Sequence, residues 1–231
     1  MKNTLTNEFS WDLFDAVPII GIMRGLPAAH LEIIAENYYQ SGLTCLEITL
    51  NSPNAAESIS ALAGAYGGRL NIGAGTVCTM HDLEKALMAN AQFIVTPIIN
   101  QEVIKACVTE KVPIFAGAYT PSEIYKAWEL GATMVKVFPA TTLTPGYIKE
   151  VLAPLDGIKL LPTGGISLHN FTRYLAAGAS GIGIGSHLFP PDIILNEDWL
   201  ALQIMFKLFK EVYCEYKMIV SEIPVSIATN Y

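Results

Sequence analysis

The sequence predicts an α/β protein, specifically a (β/α)8 TIM barrel, and three observations carry that prediction. Short apolar runs alternate with amphipathic helical stretches along the chain. Successive runs begin about two dozen residues apart, the length of one βα unit. The units number eight, the count that closes a parallel barrel. A doubly wound open sheet is the competing architecture. The first strand-to-helix turn, Met23-Arg24-Gly25-Leu26-Pro27, lacks the glycine fingerprint that a dinucleotide-binding sheet carries there. At 231 residues the whole chain fits one such domain, with a barrel core of about 17–217 and a tail at 218–231.

In order, Asn7 to Asp15 reads as a short amphipathic helix, and Val17 to Met23 as the first buried strand. Leu31, Ile33, Ile34 and Tyr38 recur at helical spacing between Pro27 and Gln40, with Ser41-Gly42 as the stop. Cys45 to Leu50 is the second strand and Asn54 to Tyr66 its helix. Further strands are expected at Asn71–Ala74, Phe93–Thr96, Val112–Ala116, Met134–Phe138, Lys159–Pro162 and Gly181–Ile184. Helices are expected at His81–Asn90, Gln101–Glu110, Pro121–Leu130, Thr144–Leu152 and His169–Ala177, and a long final helix at Asp198–Lys217. The last residues show no periodicity.

Composition narrows the function. Hydrophobic residues make up 52% and charged residues 15%, enough for a large core and against extended disorder. The net charge of −7 and the absence of a basic, aromatic-rich run argue against nucleic acid as a partner. Cys45, Cys78, Cys107 and Cys214 form no C-x-x-C pair and read as reduced thiols. His30, His81, His169 and His187 show no metal-ligand spacing. No apolar leader and no run of about 18 apolar residues is present, so a cytoplasmic protein without a membrane partner is expected.

Barrel active sites gather at the C-terminal ends of the strands. Those ends here are polar and glycine-rich: Arg24, Glu47 to Asn51, Gly73 to Thr76, Thr96-Pro97, Gly117, Lys136 to Pro139, Thr163 to Gly165, and Gly185-Ser186. Within Met134-Val135-Lys136-Val137-Phe138 a lysine interrupts a buried strand. Desolvation of its ammonium lowers the pKa and leaves free amine able to attack a carbonyl. A strand-end lysine snorkelling to solvent is the structural alternative. In Cys45-Leu46-Glu47-Ile48-Thr49-Leu50, period-two alternation turns Leu46, Ile48 and Leu50 toward the helices and Glu47 into the barrel. The same alternation turns Lys136 inward. The two are expected to meet across the barrel as a buried pair, a poor stabiliser but a nucleophile with a proton carrier beside it. Thr163-Gly164-Gly165 and Gly185-Ser186 follow the seventh and eighth strands, where backbone N–H groups commonly hold phosphate on such barrels. Arg24, on the first strand beside the eighth, adds a cation for the same anion.

Five ordered motifs carry a resemblance: Leu46-Glu47-Ile48-Thr49-Leu50, Ile72-Gly73-Ala74-Gly75-Thr76-Val77, Val95-Thr96-Pro97, Val135-Lys136-Val137-Phe138-Pro139-Ala140 and Pro162-Thr163-Gly164-Gly165-Ile166-Ser167. Together they resemble the class I 2-keto-3-deoxy-6-phosphogluconate / 4-hydroxy-2-oxoglutarate aldolase family, from about Val17 to Phe189. The resemblance implies reversible cleavage of a 2-keto-4-hydroxy acid to pyruvate and an aldehyde, with no metal or other cofactor. It casts Lys136 as the Schiff-base lysine and Glu47 as the proton shuttle. By the same resemblance Thr76 holds the pyruvyl carboxylate, and Thr96, Pro97 and Phe138 line the pocket. Gly164, Gly165 and Ser186, with Gly185 beside it, hold the phosphate, and Thr163 bears on the C4 configuration accepted. A homotrimer is also implied. The chain departs from the phosphogluconate pattern at Leu50-Asn51-Ser52-Pro53, where Asn51 replaces an arginine and the form is that of the 2-dehydro-3-deoxy-6-phosphogalactonate relatives. Thr163 is gluconate-like, and the balance falls to phosphogluconate, with hydroxyoxoglutarate and phosphogalactonate behind it. A phosphate-binding isomerase or epimerase that uses Glu47 as base and forms no imine is the alternative of another class.

Overall fold

The computed structural model describes residues 8–222. Eight strands form one parallel sheet in the order β7-β6-β5-β4-β3-β2-β1-β8. They are β1 Ile19–Met23, β2 Cys45–Thr49, β3 Asn71–Gly75, β4 Ile94–Val95, β5 Ile114–Ala118, β6 Met134–Val137, β7 Leu160–Pro162 and β8 Ile182–Ile184. An isolated parallel bridge between Thr163 and Gly183 brings the two ends of that sheet together. The expected barrel is therefore the observed one.

The helices are α1 Trp11–Ala16, α2 Leu31–Gln40, α3 Ala55–Tyr66, α4 Met80–Met88, α5 Gln101–Thr109, α6 Pro121–Glu129, α7 Pro145–Leu152, α8 Phe171–Ala176, α9 Pro191–Leu195 and α10 Trp199–Glu222. Local chemistry sets where they begin. Ser10 caps α1 by accepting from Leu13 N–H, so that helix starts later than the pattern suggests. Asn7, the expected first residue of that helix, lies outside the described residues. Thr79 with Asp82, and Thr120 with Glu123, form complete capping boxes at α4 and α6. Pro27 to His30 is not α-helix: Ala28–His30 forms a 3-10 turn before α2 begins at Leu31.

Several other boundaries differ from expectation by a residue or two, and three differences have a plain cause or consequence. The fifth strand is displaced by two residues, because Val112 N–H closes the turn after α5 on Cys107 O while pairing continues through Gly117 and Ala118. Between β8 and α10 the chain makes the extra helix α9, which the pattern misses because five residues are too few to show a period. The final helix continues past Lys217 to Glu222, so residues 218–222 are helix rather than tail; 223–231 lie outside the described residues.

Two apolar layers hold the barrel. The outer one joins the outward side chains of the strands, such as Leu46, Ile48, Ile72 and Val135, to the helices. The inner one comprises Phe14, Ile20, Cys45, Phe93, Val95, Phe115, Met134 and Leu161, with Phe9 packed on it. Phe9 reaches Phe93 at 5.5 Å between centroids, and Phe93 reaches Phe115 at the same separation. The N-terminal segment thus closes one end of the barrel with aromatic rings. Asn71 fastens it by accepting from Ser10 N–H and donating to Ser10 O, both at 2.8 Å. The other end is where the polar strand ends converge.

Candidate active site

Each inward position of β2 and β6 can be followed from the closed end to the open one. On β2 the series is Cys45, Glu47, Thr49; on β6 it is Met134 and Lys136, with Phe138 just past the strand end. Cys45 and Met134 belong to the inner apolar layer, so Glu47 and Lys136 are the first polar groups above it. Both are buried: Glu47 is 1% exposed and Lys136 2%. The snorkelling alternative for Lys136 is excluded by that figure.

The expected contact between them is corrected by the structure. Both carboxylate oxygens of Glu47 are buried without a hydrogen-bond partner, and the ion pairs of the described residues are His30–Glu197 and Lys126–Glu129. The two charges therefore act on each other through space and not by contact. Alternation along a strand gives the face of a side chain but not the distance across a barrel. Burial pushes the Lys136 ammonium below the ordinary lysine range; Glu47 pulls it back and Arg24 lowers it further. Burial likewise pushes the Glu47 carboxyl up, against the opposing pull of Lys136 and Arg24. Both shifts favour the neutral forms, which are a nucleophilic amine and a carboxylic acid able to give a proton.

Gly75 explains how the carboxylate fits. A Cβ at this position would collide with the Glu47 carboxylate, so the second glycine of Gly73-Ala74-Gly75 leaves the space that Glu47 occupies. The ammonium of Lys136 lies 5.2 Å from the centroid of the Phe138 ring, a cation–π distance.

Phe138 links this pair to a cavity of about 290 Å³ at the open end. Arg24, Phe138, Thr163, Gly164, Gly165, Gly185 and Ser186, all expected site residues, line it. Gly164 and Gly165 have φ of 97° and 70°, conformations that glycine adopts without strain. The amides of Gly165, Ser186 and His187 donate to no protein acceptor among the described residues, which leaves them free for an anion. Among the described residues no Asp or Glu lines the cavity, in a chain of net charge −7. Its walls are thus chemically suited to a phosphate.

The remaining expected residues sit apart from that cavity. Thr76 has φ 59° and is half-buried after β3, and its hydroxyl has no partner within the described residues. Thr96 is fully buried, and its hydroxyl donates to Ile98 O at 2.6 Å and accepts from Gly117 N–H at 3.1 Å. It braces the turn of β4 against β5 and has no hydrogen left to offer a ligand. Pro97, next along this turn, packs its backbone against Gly117. Sequence reasoning missed two participants. His187 lines the anion cavity, exposed, one residue after Ser186. Ser52 hydrogen-bonds to Thr49 and to Gly25 N–H, tying two strand-end turns together.

A parallel barrel with a buried lysine and a buried carboxyl below a cavity lined by free amides has the geometry of a class, the barrels suited to lysine chemistry on phosphorylated carbonyl compounds. A family model described as KDPG and KHG aldolase matches residues 12–205. The 2-dehydro-3-deoxy-6-phosphogalactonate aldolase of Escherichia coli K12 is 35% identical over 178 residues, covering 75% of this chain and 85% of its own. The 2-dehydro-3-deoxy-phosphogluconate aldolase of Treponema pallidum is 36% identical over 184 residues, covering 79% and 86%. Among solved structures, a native KDPGal structure superposes with a TM-score of 0.83 at 30% identity, covering 91% of this chain and 99% of its own. The Legionella pneumophila KDPG aldolase, with pyruvate captured as a covalent carbinolamine, superposes at 0.77 with 27% identity, covering 84% and 95%. The chain belongs to the KDPG and KHG aldolase family, whose members are lyases.

Proposed function

We propose that this protein is a class I aldolase that reversibly cleaves 2-keto-3-deoxy-6-phosphogluconate to pyruvate and glyceraldehyde 3-phosphate, with 4-hydroxy-2-oxoglutarate as a second substrate. The observation that carries the reading is Lys136, buried, shifted toward its neutral form and under the field of a carboxyl that has no hydrogen-bond partner among the described residues. The Lys136 amine attacks the C2 carbonyl, and Glu47 moves the protons that convert the carbinolamine to an imine and water. The protonated imine then draws in the electrons of the C3–C4 bond as Glu47 takes the C4 hydroxyl proton. The aldehyde leaves first. The remaining enamine is protonated at C3, and hydrolysis of the imine frees pyruvate and the lysine.

The free hydroxyl of Thr76 suits the substrate carboxylate. The cavity amides and Arg24 suit the phosphate, and Phe138 joins the two ends of the substrate path. Thr163 faces the cavity, whereas Asn51 is exposed and does not line it. That contrast favours the gluconate-type substrate. The Asn51-Ser52-Pro53 turn and the galactonate-aldolase relative support 2-dehydro-3-deoxy-6-phosphogalactonate as the second reading.

Pyruvate release measured with the three purified aldol substrates tests the proposal. We expect kcat/KM highest for 2-keto-3-deoxy-6-phosphogluconate; a higher value for its galactonate epimer transfers the assignment to it, and no cleavage of any of the three refutes the aldolase. A homotrimer is part of the same reading. It is supported by the exposed apolar side chains Ile98, Val108, Tyr119 and Tyr125 on neighbouring βα units, and light scattering in solution checks it.

A further inference from the structure

Arg24 has to be aimed by something other than itself. Among the described residues it is the only arginine or lysine on the cavity wall, it is exposed, and its guanidinium makes no hydrogen bond or ion pair. A long side chain so placed samples many rotamers, and its useful fraction depends on where its backbone stands. The chain turns immediately after it at Gly25, with φ 63°. This backbone is held from the side. Gly25 N–H donates to Ser52 Oγ at 2.8 Å, across 27 positions of sequence. Ser52 Oγ lies 2.9 Å from Thr49 Oγ1, which is fully buried on the inward face of β2 two residues beyond Glu47. With the Gly25 amide as its donor, the Ser52 hydroxyl has its own hydrogen to give to Thr49. Ser52 N–H also donates to Thr49 O at 2.9 Å, so the turn bearing Ser52 is closed on β2 itself.

We propose that Ser52 is a positioning residue: through Thr49 and the Gly25 amide it locks the β1–α2 turn to β2 and thereby aims Arg24 at the phosphate cavity. The β2–α3 turn carries Asn51, an uncharged and exposed residue, beside it. This turn therefore contributes to anion recognition by holding the neighbouring cation and not by supplying one. The inference rests on the aldolase reading for its substrate and extends it to how the phosphate end is recognised.

Three measurements on wild type, Ser52→Ala and Ser52→Thr test it. Titration calorimetry with inorganic phosphate reads the cavity without turnover. Steady-state kinetics compares the phosphorylated aldol with unphosphorylated 4-hydroxy-2-oxoglutarate. Borohydride trapping of pyruvate reads the lysine alone. For Ser52→Ala we expect phosphate binding weakened and KM for the phosphorylated substrate raised, each roughly five- to tenfold, the scale of one lost hydrogen bond. The KM of the unphosphorylated substrate moves much less, and pyruvate still traps on Lys136. Ser52→Thr keeps the hydroxyl and restores both values. Equal KM changes for both substrates, unaltered phosphate affinity, or no rescue by threonine overturns the proposal. A wild-type chain that binds phosphate but traps no pyruvate refutes the aldolase reading instead, and the phosphate titration still decides the role of Ser52.

Discussion

The two ends of the barrel are built from the same strands and obey opposite rules. At the closed end every polar group brought inside has a partner: Asn71 holds Ser10 through two hydrogen bonds, Gln92 donates to Glu8 O and accepts from Ile72 N–H, and Thr44 donates to Leu13 O. The space between them is filled with the rings of Phe9, Phe14, Phe93 and Phe115. Further toward the open end Glu47 is as deeply buried, yet neither of its carboxylate oxygens has a hydrogen-bond partner among the described residues, and the ammonium of the buried Lys136 faces the ring of Phe138. Burying an ion without contact partners costs several kcal/mol even after relaxation. The closed end thus holds the barrel together, and burial at the open end shifts two groups toward their neutral forms.

That contrast can be broken or sharpened by mutation. The largest effect is expected at Lys136: Lys136→Ala loses on the order of 10⁴-fold or more in kcat, the scale of removing a covalent nucleophile. Glu47→Gln folds normally and loses about 10²–10⁴-fold, measured by pyruvate release. At the other end, Phe115→Ala destabilises by about 3–5 kcal/mol in denaturant unfolding while kcat per folded molecule holds. A kinetic loss at Phe115 without a stability loss would break the division between the ends.

The smallest effect has the most telling sign. Lys136→Met, an apolar side chain in the same space, stabilises the protein by about 1–2 kcal/mol as it abolishes turnover. The lowered pKa of Lys136 gives that gain a pH dependence. Between its folded and its higher unfolded value the unfolded chain binds the extra proton, so wild-type stability rises with pH across this window. The advantage of Lys136→Met therefore shrinks as pH climbs toward the ordinary lysine range. Unfolding titrations over a pH series check this, and an advantage that grows with pH would contradict the buried-amine account.

Much of this contrast was legible in the sequence. The eight βα units follow from periodicity, and alternation within Cys45 to Leu50 and Met134 to Phe138 places Glu47 and Lys136 inside. The aromatic closure was not legible, because Phe9, Phe14, Phe93 and Phe115 come from three separate segments that only the closed barrel brings together. The missing contact between Glu47 and Lys136 was hidden for a related reason: a strand pattern carries no distance to the opposite wall. Two signals were present and unused. Pro190-Pro191, with Pro191 in the first turn of α9, marks the start of that helix. Gly75 marks a close approach, which proves to be that of the Glu47 carboxylate.

The central claim is that Lys136 is a nucleophile and not a structural residue. Incubation with pyruvate and borohydride, followed by peptide mass mapping, tests it most directly. The account predicts a reduced pyruvyl adduct on Lys136, formed faster as pH rises toward the lowered lysine pKa, and none in Lys136→Ala. An unmodified Lys136, or an adduct confined to another lysine, would contradict it.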